Sequence, residues 1–352
     1  MPWFSYREVT RRFGDVHLID TPRLDTIVER LAALQRYGMS VRQRRLLGRL
    51  YAVLISHQLE QIKPDIVIAV GAMHKMTFVA NRYPVIHVSD GLFATIVGYY
   101  EKFGRFRQSV LREGHEDHQR VLDKTGMVLF ASHWASDSAL ALYDVELART
   151  RVVPFGANLD GDPPFRQRTA SGPLNLLFVG YDWKRKGGDI VLAAFRELRE
   201  RLPDAELHII GCTPAAAGGC EGVYVHGRLD KSNPDDYALL QQCYDRASIF
   251  FLPSRQEAFG MVFCEAAAYG IPVVSTATGG VPTVVAHDET GLLKPITASA
   301  SAYADAIETL WRAPDRYAKM SLAARNRYDT MLNWRAWGAE LQNAMEDVLA
   351  HR

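Results

Sequence analysis

The 352-residue chain has almost no net charge: 41 Lys and Arg face 40 Asp and Glu, a formal +1. It therefore lacks the polyelectrolyte balance that marks a nucleic-acid binder, and nucleic acid is not the default partner. It lacks any run of the roughly 18 apolar residues needed to span a bilayer. The start, MPWFSYREVTRRFGDV, has no apolar core ahead of a small-residue cleavage site, so no secretion signal is read there. The four cysteines, Cys212, Cys220, Cys243 and Cys264, form neither a CxxC pair nor a regular framework. Reduced thiols in a cytoplasmic protein are expected from them. There is no internal repeat and no low-complexity block.

What is present fits a soluble globular protein of about two domains, with 48% hydrophobic and 23% charged residues. Residues 1–160 are slightly basic and the remainder slightly acidic. Short Val-, Ile-, Leu- and Phe-rich runs alternate with amphipathic stretches. Strands are expected at 15–20, 65–70, 84–89, 127–132 and 150–155. A second series is expected at 174–180, 205–211, 223–227, 248–253 and 271–276. Runs apolar at nearly every position imply strands buried on both faces, as in parallel sheets. The βαβ rhythm thus occurs twice.

The break falls in GANLDGDPPFRQRTASGP, residues 156–173, which is dense in Gly, Pro and Ser and reads as a linker. The expected organisation is an N-terminal Rossmann-like domain over 1–155, that linker, a second such domain over 174–330 and a terminal helix over 331–352. The helix is placed so that it could pack back on the first domain. Two doubly wound domains would enclose a cleft, with ligands beyond the carboxyl ends of the strands. One feature is anomalous. WFSYREVTRRF reads as a helix with Trp3, Tyr6, Thr10 and Phe13 near one face. The strand and glycine-containing loop with which such a domain normally begins are missing.

The chemistry concentrates in SRQEAFGMVFCEAAAYGIPVVS, residues 254–275, where Glu257 and Glu265 stand eight positions apart around Gly260. SIFFLPS ends a strand, and the following helix presents unpaired N–H groups suited to a diphosphate. Gly260 would let backbone approach a ligand closely. A carboxylate offers two acceptor oxygens, which matches a vicinal diol such as that of ribose. For such a pair alone, a helix-capping acid followed by a solvated helical acid is the more ordinary explanation.

The surroundings change that. PSRQEAFGMVFCEAAAYGIPVVSTATGGVPTVVAHDETGLL resembles the signature of the retaining family 4 glycosyltransferases of the GT-B fold, glycosyl transferases group 1. Upstream the likeness continues through VPFGAN and FVGYDWKRKGGDIVLAAF, and more loosely through FASHWASDSALALY and VIHVSDGLFATIVGYY. It is strong after about residue 150 and weak before. The resemblance implies an α/β chain of two Rossmann-like domains, the first lacking its opening strand. It implies that Glu265 holds the ribose and Glu257 the transferred sugar, with backbone amides of Phe259, Gly260 and Met261 on sugar and phosphates. Lys186, six residues after Gly180, matches the family's phosphate-binding lysine. Tyr181 stands where the family often has an arginine, so Arg185 is taken as the second positive charge. Arg228 lies where the family lines the base pocket, and Gly279 and Gly280 match its glycine pair.

No metal and no other cofactor is implied. Asp160-Gly161-Asp162 has the form of a metal-binding D-x-D but sits among turn residues. His115 and His118 have HExH spacing, not HExxH, and read as a solvated helix face. On the acceptor side Asp90 is the candidate acid, against N-capping of the following helix, with His74 weaker and His87 directed away. Arg36, Arg42, Arg44, Arg45 and Arg49 cluster beside Leu and Val and read first as the solvated face of an ordinary packed helix, although with KFGRFRQSVLR they keep peripheral contact with the inner face of a membrane open.

The expected function is metal-independent, retaining transfer by a hexosyltransferase in the cytoplasm. Sugar would pass from a nucleotide-diphosphate sugar to a glycan or lipid-linked acceptor, in surface polysaccharide synthesis by family habit. The competing expectation is a truncated or partner-dependent protein that binds nucleotide sugar without working alone.

Overall fold

A computed structural model of the chain describes residues 2–31, 45–104 and 106–351. The chain divides into two compact units, one running to Pro154 and resuming at Trp337, the other spanning Phe155–Ala336. Among the described residues no helix is long and apolar enough to cross a membrane.

The first unit carries helices α1 (Pro2–Arg12), α2 (Pro22–Leu31), α3 (Arg45–Ile62), α4 (Met73–Met76), α5 (Phe93–Val97), α6 (Gln108–Leu122) and α7 (His133–Leu142). Its sheet has four parallel strands, in the order β1 (Val67–Val70), β2 (Val85–Ser89), β3 (Met127–Phe130) and β4 (Thr150–Val152). β2 and β3 are buried at every position, as the unbroken apolar runs imply for central strands. Tyr51, Ile55 and Leu59 of α3 share their core with Val67, Val128 and Phe130. Each such side chain contributes about 1.5–3 kcal/mol by leaving water.

Two expectations fail here. Residues 15–20 form no strand; Leu18 is 62% exposed while Ile19 packs on the core, and the segment pairs with no strand of the sheet. The opening segment is helical, but not for the reason given. Trp3 is 64% exposed, whereas Ser5 and Glu8 are buried. Glu8 accepts from Arg11 at 2.8 Å and Arg12 at 3.2 Å within α1, and Arg12 also donates to Gln342 at 3.3 Å, so the polar face carrying Glu8 and Arg12 meets the chain's last residues.

The second unit has helices α8 (Gly188–Arg201), α9 (Pro234–Arg246), α10 (Met261–Ala268), α11 (Val281–Val284), α12 (Ala300–Trp311) and α13 (Pro314–Thr330). Its strands are β5 (Asn175–Val179), β6 (Glu206–Ile210), β7 (Val223–Gly227), β8 (Ile249–Leu252), β9 (Val273–Thr276) and β10 (Gly291–Lys294). They lie parallel in the order β10-β9-β8-β5-β6-β7. This is the doubly wound order, reversing between β5 and β8. β10 was not expected from GLLK. Gly291 permits it, since a Cβ there would sit 2.3 Å from the Val273 carbonyl oxygen.

The expected linker is packed within this unit. Ala157 N–H donates to the Leu332 carbonyl at 3.0 Å. Arg168 donates to the carbonyls of Tyr244 at 3.0 Å, Asp245 at 3.1 Å and Tyr269 at 2.9 Å, and also to Ala247. The turn composition of 156–173 hid a guanidinium with a full set of acceptors. The last helix, α14 (Trp334–Ala350), has its residues from Trp337 onward in the first unit. There Asp347 pairs with Arg151 at 2.7 Å, and Val348 closes over Gly126.

Candidate functional site

Where strand order reverses, the connections after β5 and β8 depart to opposite faces and leave a crevice at their carboxyl ends. Gly180 ends β5, and Ser254 to Glu257 follow β8. The loop after Gly180 is a tight turn. Lys186 N–H donates to the Asp182 carbonyl at 2.9 Å, and Arg185 N–H to the Asp182 carboxylate at 3.1 Å. Gly187 has φ +73°, and a Cβ there would meet the Pro253 carbonyl oxygen at 2.1 Å. Only glycine fits, so the two loops are held together.

Lys186 is buried, and its Nζ donates to Oε2 of the buried Glu257. Ser254 Oγ donates to the same oxygen at 3.4 Å. Burial pushes the Lys186 amine below its usual range, against the opposing pull of the Glu257 carboxylate. Arg185 donates to the Gln256 carbonyl at 2.7 Å and holds Nη1 3.9 Å from the same Glu257 oxygen. Two cations and one acid thus share one point. Gly280 N–H fixes Glu257 from behind through its carbonyl at 3.0 Å. Gly279, at φ +51°, makes the turn that aims that amide.

Gly260 opens α10 at φ +88°, and a Cβ there would strike the Phe263 ring at 2.5 Å. The amides of Met261 and Val262 at the start of α10 have no acceptor within the helix and carry its positive dipole end, whereas Phe263 N–H donates to the Gly260 carbonyl at 2.9 Å. Phe259 is buried edge-on against Phe155 with centroids 5.2 Å apart, which sets where the helix begins.

Glu265 lies on the second turn of α10, 3% exposed. Its Oε1 accepts from Lys231 Nζ at 2.7 Å and its Oε2 from the Tyr244 hydroxyl at 2.9 Å. Lys231 also reaches the Asn158 carbonyl at 2.9 Å, and Asn158 Oδ1 is buried without a hydrogen-bond partner. Lys231 and Tyr244 were not among the expected site residues, because they reach Glu265 from separate segments at no regular spacing, while Asn158, in VPFGAN, touches Lys231 and not Glu265. Arg228 is exposed, its Cζ 5.4 Å from the ring centroid of the equally exposed Tyr181. The tyrosine found where the family often has arginine thus faces an arginine supplied from β7. A cavity of about 460 Å³ lies beyond Gln256, lined also by Ile190, Arg255 and Thr276, but not by Lys186, Glu257 or Glu265.

The remaining candidates are elsewhere. Asp90 is in the first unit, exposed after β2. The α5 N-cap is Leu92, with no side-chain cap, so Asp90 does not cap that helix. His74 sits edge-on to Tyr51. His87 is buried, and burial pushes its imidazole down to about 4. The HExH helix is α6, and there the solvated-face expectation fails for His118. It is buried, accepts from Phe93 N–H at 3.2 Å and is pushed down to about 3 by burial. Asp162, of the Asp160-Gly161-Asp162 stretch, accepts from the Tyr328 hydroxyl and from Arg335 at 2.6 Å. Arg36, Arg42, Arg44 and Arg105 lie outside the described residues. Of the rest of that cluster, Arg45 pairs with Glu116 and Arg49 lies over the Phe78 ring at 5.6 Å.

Residues 163–327 match the family described as glycosyl transferases group 1. The chain is 30% identical over 263 residues to a D-inositol 3-phosphate glycosyltransferase of Corynebacterium aurimucosum, covering 66% of this chain and 59% of that protein. It is 36% identical over 195 residues to the D-rhamnosyltransferase WbpZ of Pseudomonas aeruginosa, covering 51% of this chain and 49% of that protein. It thus spans only about half to three-fifths of those two proteins. Among solved structures, sucrose-phosphate synthase from Thermosynechococcus elongatus superposes with TM-score 0.67 at 20% identity, covering 89% of this chain and 81% of that one. HepE from Anabaena, solved in complex with UDP, gives TM-score 0.63 at 16% identity, covering 84% and 82%. The fold is that of the GT-B glycosyltransferases.

Proposed function

We propose, from the membership of residues 163–327 in glycosyl transferases group 1, that this chain is a retaining, family 4 hexosyltransferase. It moves a sugar from a nucleotide-diphosphate sugar to a glycan or lipid-linked acceptor, in the building of a surface polysaccharide. The observation that carries this reading is the convergence of Lys186 and Arg185 on Glu257 at the mouth of α10.

Breaking the bond between sugar and diphosphate builds negative charge on the departing phosphate oxygen. Fixed positive groups at that point lower the barrier, and Lys186, Arg185 and the first amides of α10 are positioned to supply them. An arriving diphosphate takes over part of the Lys186 charge and leaves the Glu257 carboxylate to accept from sugar hydroxyls. Glu265 keeps lone pairs beyond those used by Lys231 and Tyr244, enough to accept both ribose hydroxyls. No carboxylate nucleophile is invoked. The leaving phosphate takes the acceptor proton on the same face of the sugar, which retains the anomeric configuration. UDP in the HepE complex shows that this fold accommodates a nucleoside diphosphate in that protein.

The test is turnover with UDP-, GDP- and ADP-sugars and candidate acceptors, following nucleoside diphosphate release and the anomeric configuration of the product by NMR. Acceptor-dependent release with retained configuration is expected. Inversion would refute the retaining mechanism, and nucleotide binding without release would favour a partner-dependent protein.

A further inference from the structure

Three side chains outside the proposed donor site meet at the far edge of the second sheet: His208 on β6, His226 on the edge strand β7 and Cys243 on α9. His208 Nδ1 lies 3.0 Å from His226 Nε2, and Cys243 Sγ lies 3.8 Å from that same nitrogen. One donor atom from each residue falls within 4.8 Å of the other two. Around a tetrahedral zinc ion, with Zn–N about 2.0–2.1 Å and Zn–S about 2.3 Å, ligand atoms stand roughly 3.3–3.6 Å apart. The observed separations reach that arrangement with side-chain shifts of about 1 Å or less.

We infer that these residues form a binding site for a divalent transition-metal ion of the zinc type. The ligands are His208 Nδ1, His226 Nε2 and the Cys243 thiolate, and the fourth position is left to solvent. Imidazole and thiolate select such an ion over magnesium or calcium, which demand oxygen. Glu206 sits with Oε2 3.4 Å from His208 Nε2. A proton held on Nε2 toward that carboxylate frees the Nδ1 lone pair, the carboxylate–histidine–metal relay that orients ligands in such sites. The Tyr224 ring stacks on His208 at 4.9 Å and fixes the plane of the imidazole. On binding, the Cys243 S–H bond breaks, the sulfur–metal bond forms and the proton goes to solvent.

The ion would tie β6 and the edge strand β7 to α9. That helix also carries Tyr244, the next residue, to Glu265. Spacings of 18 and 17 residues on two strands and a helix match no metal motif, which is why the sequence alone did not disclose the trio.

The experiment uses the full reduced chain, stripped with a chelator and titrated with Co²⁺. One equivalent should produce a thiolate-to-cobalt charge-transfer band, release about one proton at pH 7, and be displaced by Zn²⁺. Cys243→Ser should abolish the band. His208→Gln and His226→Gln should weaken affinity about 10-fold or more, and Glu206→Gln about 10-fold. Cys243 is buried, so its alkylation in the unaltered chain proceeds through opening of the fold, and Zn²⁺ should slow that alkylation while Cys220 stays reactive, a readout independent of how the variants fold. No band and no shielding of Cys243 would overturn the inference. So would a band that survives in Cys243→Ser, since the trio would then be an ordinary hydrogen-bonded stack.

Discussion

The two units are alike in architecture and unlike in how they hold charge. In the second, the acids expected to bind substrate, Glu257 and Glu265, are buried, and each is met by a lysine. In the first, the one candidate acid, Asp90, is exposed, and the fully buried ionisable groups include His87 and His118, both kept neutral. The first unit also exposes Leu46, Leu50, Val53 and Leu54 along α3. A buried ion pair is stable only in one geometry, because either partner left alone in a low-dielectric site is costly. Such a site leaves a strict pattern in sequence. An exposed acid at a strand end is under no such constraint, and the first unit correspondingly carries only a loose family likeness.

The sharpest way to break this comparison is Lys186→Met. Transfer should fall about 10²- to 10³-fold, the effect of removing one group that stabilises developing charge. Thermal unfolding should also fall, by up to about 3–5 kcal/mol of stability, because Glu257 is left buried without its lysine. Unimpaired transfer by a folded variant would remove the proposed donor role.

Tyr244→Phe comes next. It deletes one hydrogen bond to a buried carboxylate, so thermal unfolding should report a loss of about 1.5–3 kcal/mol of stability. Unchanged stability would mean that the Tyr244 hydroxyl does not hold Glu265 in place.

His118 tests the other unit. Its folded-state value of about 3 lies below the ordinary 6.5, so the unfolded chain binds the proton first as pH falls. The stability it contributes is complete above about pH 6.5 and lost progressively toward pH 3, about 2 kcal/mol by pH 5. His118→Asn keeps an acceptor for the Phe93 N–H without a titrating group. Hydrogen exchange in β2 and α6 should then depend less on pH between 7 and 5. An unaltered pH dependence would mean that His118 is not what makes the first unit acid-sensitive.

The smallest effect sharpens the contrast. Asp90→Asn should leave nucleotide affinity within about 2-fold while lowering transfer, because Asp90 belongs to the acceptor side of the proposal. A loss of nucleotide affinity would place it with the donor instead.

How much could be read beforehand follows the same physics. β8 and β9 are buried at every position, and the uninterrupted apolar run of β8 reads directly as a strand buried on both faces. Glu257, Gly260 and Glu265 lie in one short segment, so their spacing is preserved in the sequence. Lys231 and Tyr244 reach Glu265 from the loop after β7 and from α9, and only the folded sheet brings them together. Residues 15–20 show the opposite failure, since an apolar run predicts a strand only where a neighbouring strand exists to receive it. Residues 156–173 show a third: Gly and Pro mark turns, but they say nothing of an arginine such as Arg168 that ties those turns to the helices beneath.

The most direct measurement is calorimetric titration of UDP, GDP and ADP into the unaltered chain and into Glu265→Gln. The account predicts that one of the three binds the unaltered chain, and that Glu265→Gln weakens it about 10-fold or more, since an amide accepts a diol poorly and repels the Lys231 ammonium. Equal binding to both chains, or no binding of any of the three, would contradict it.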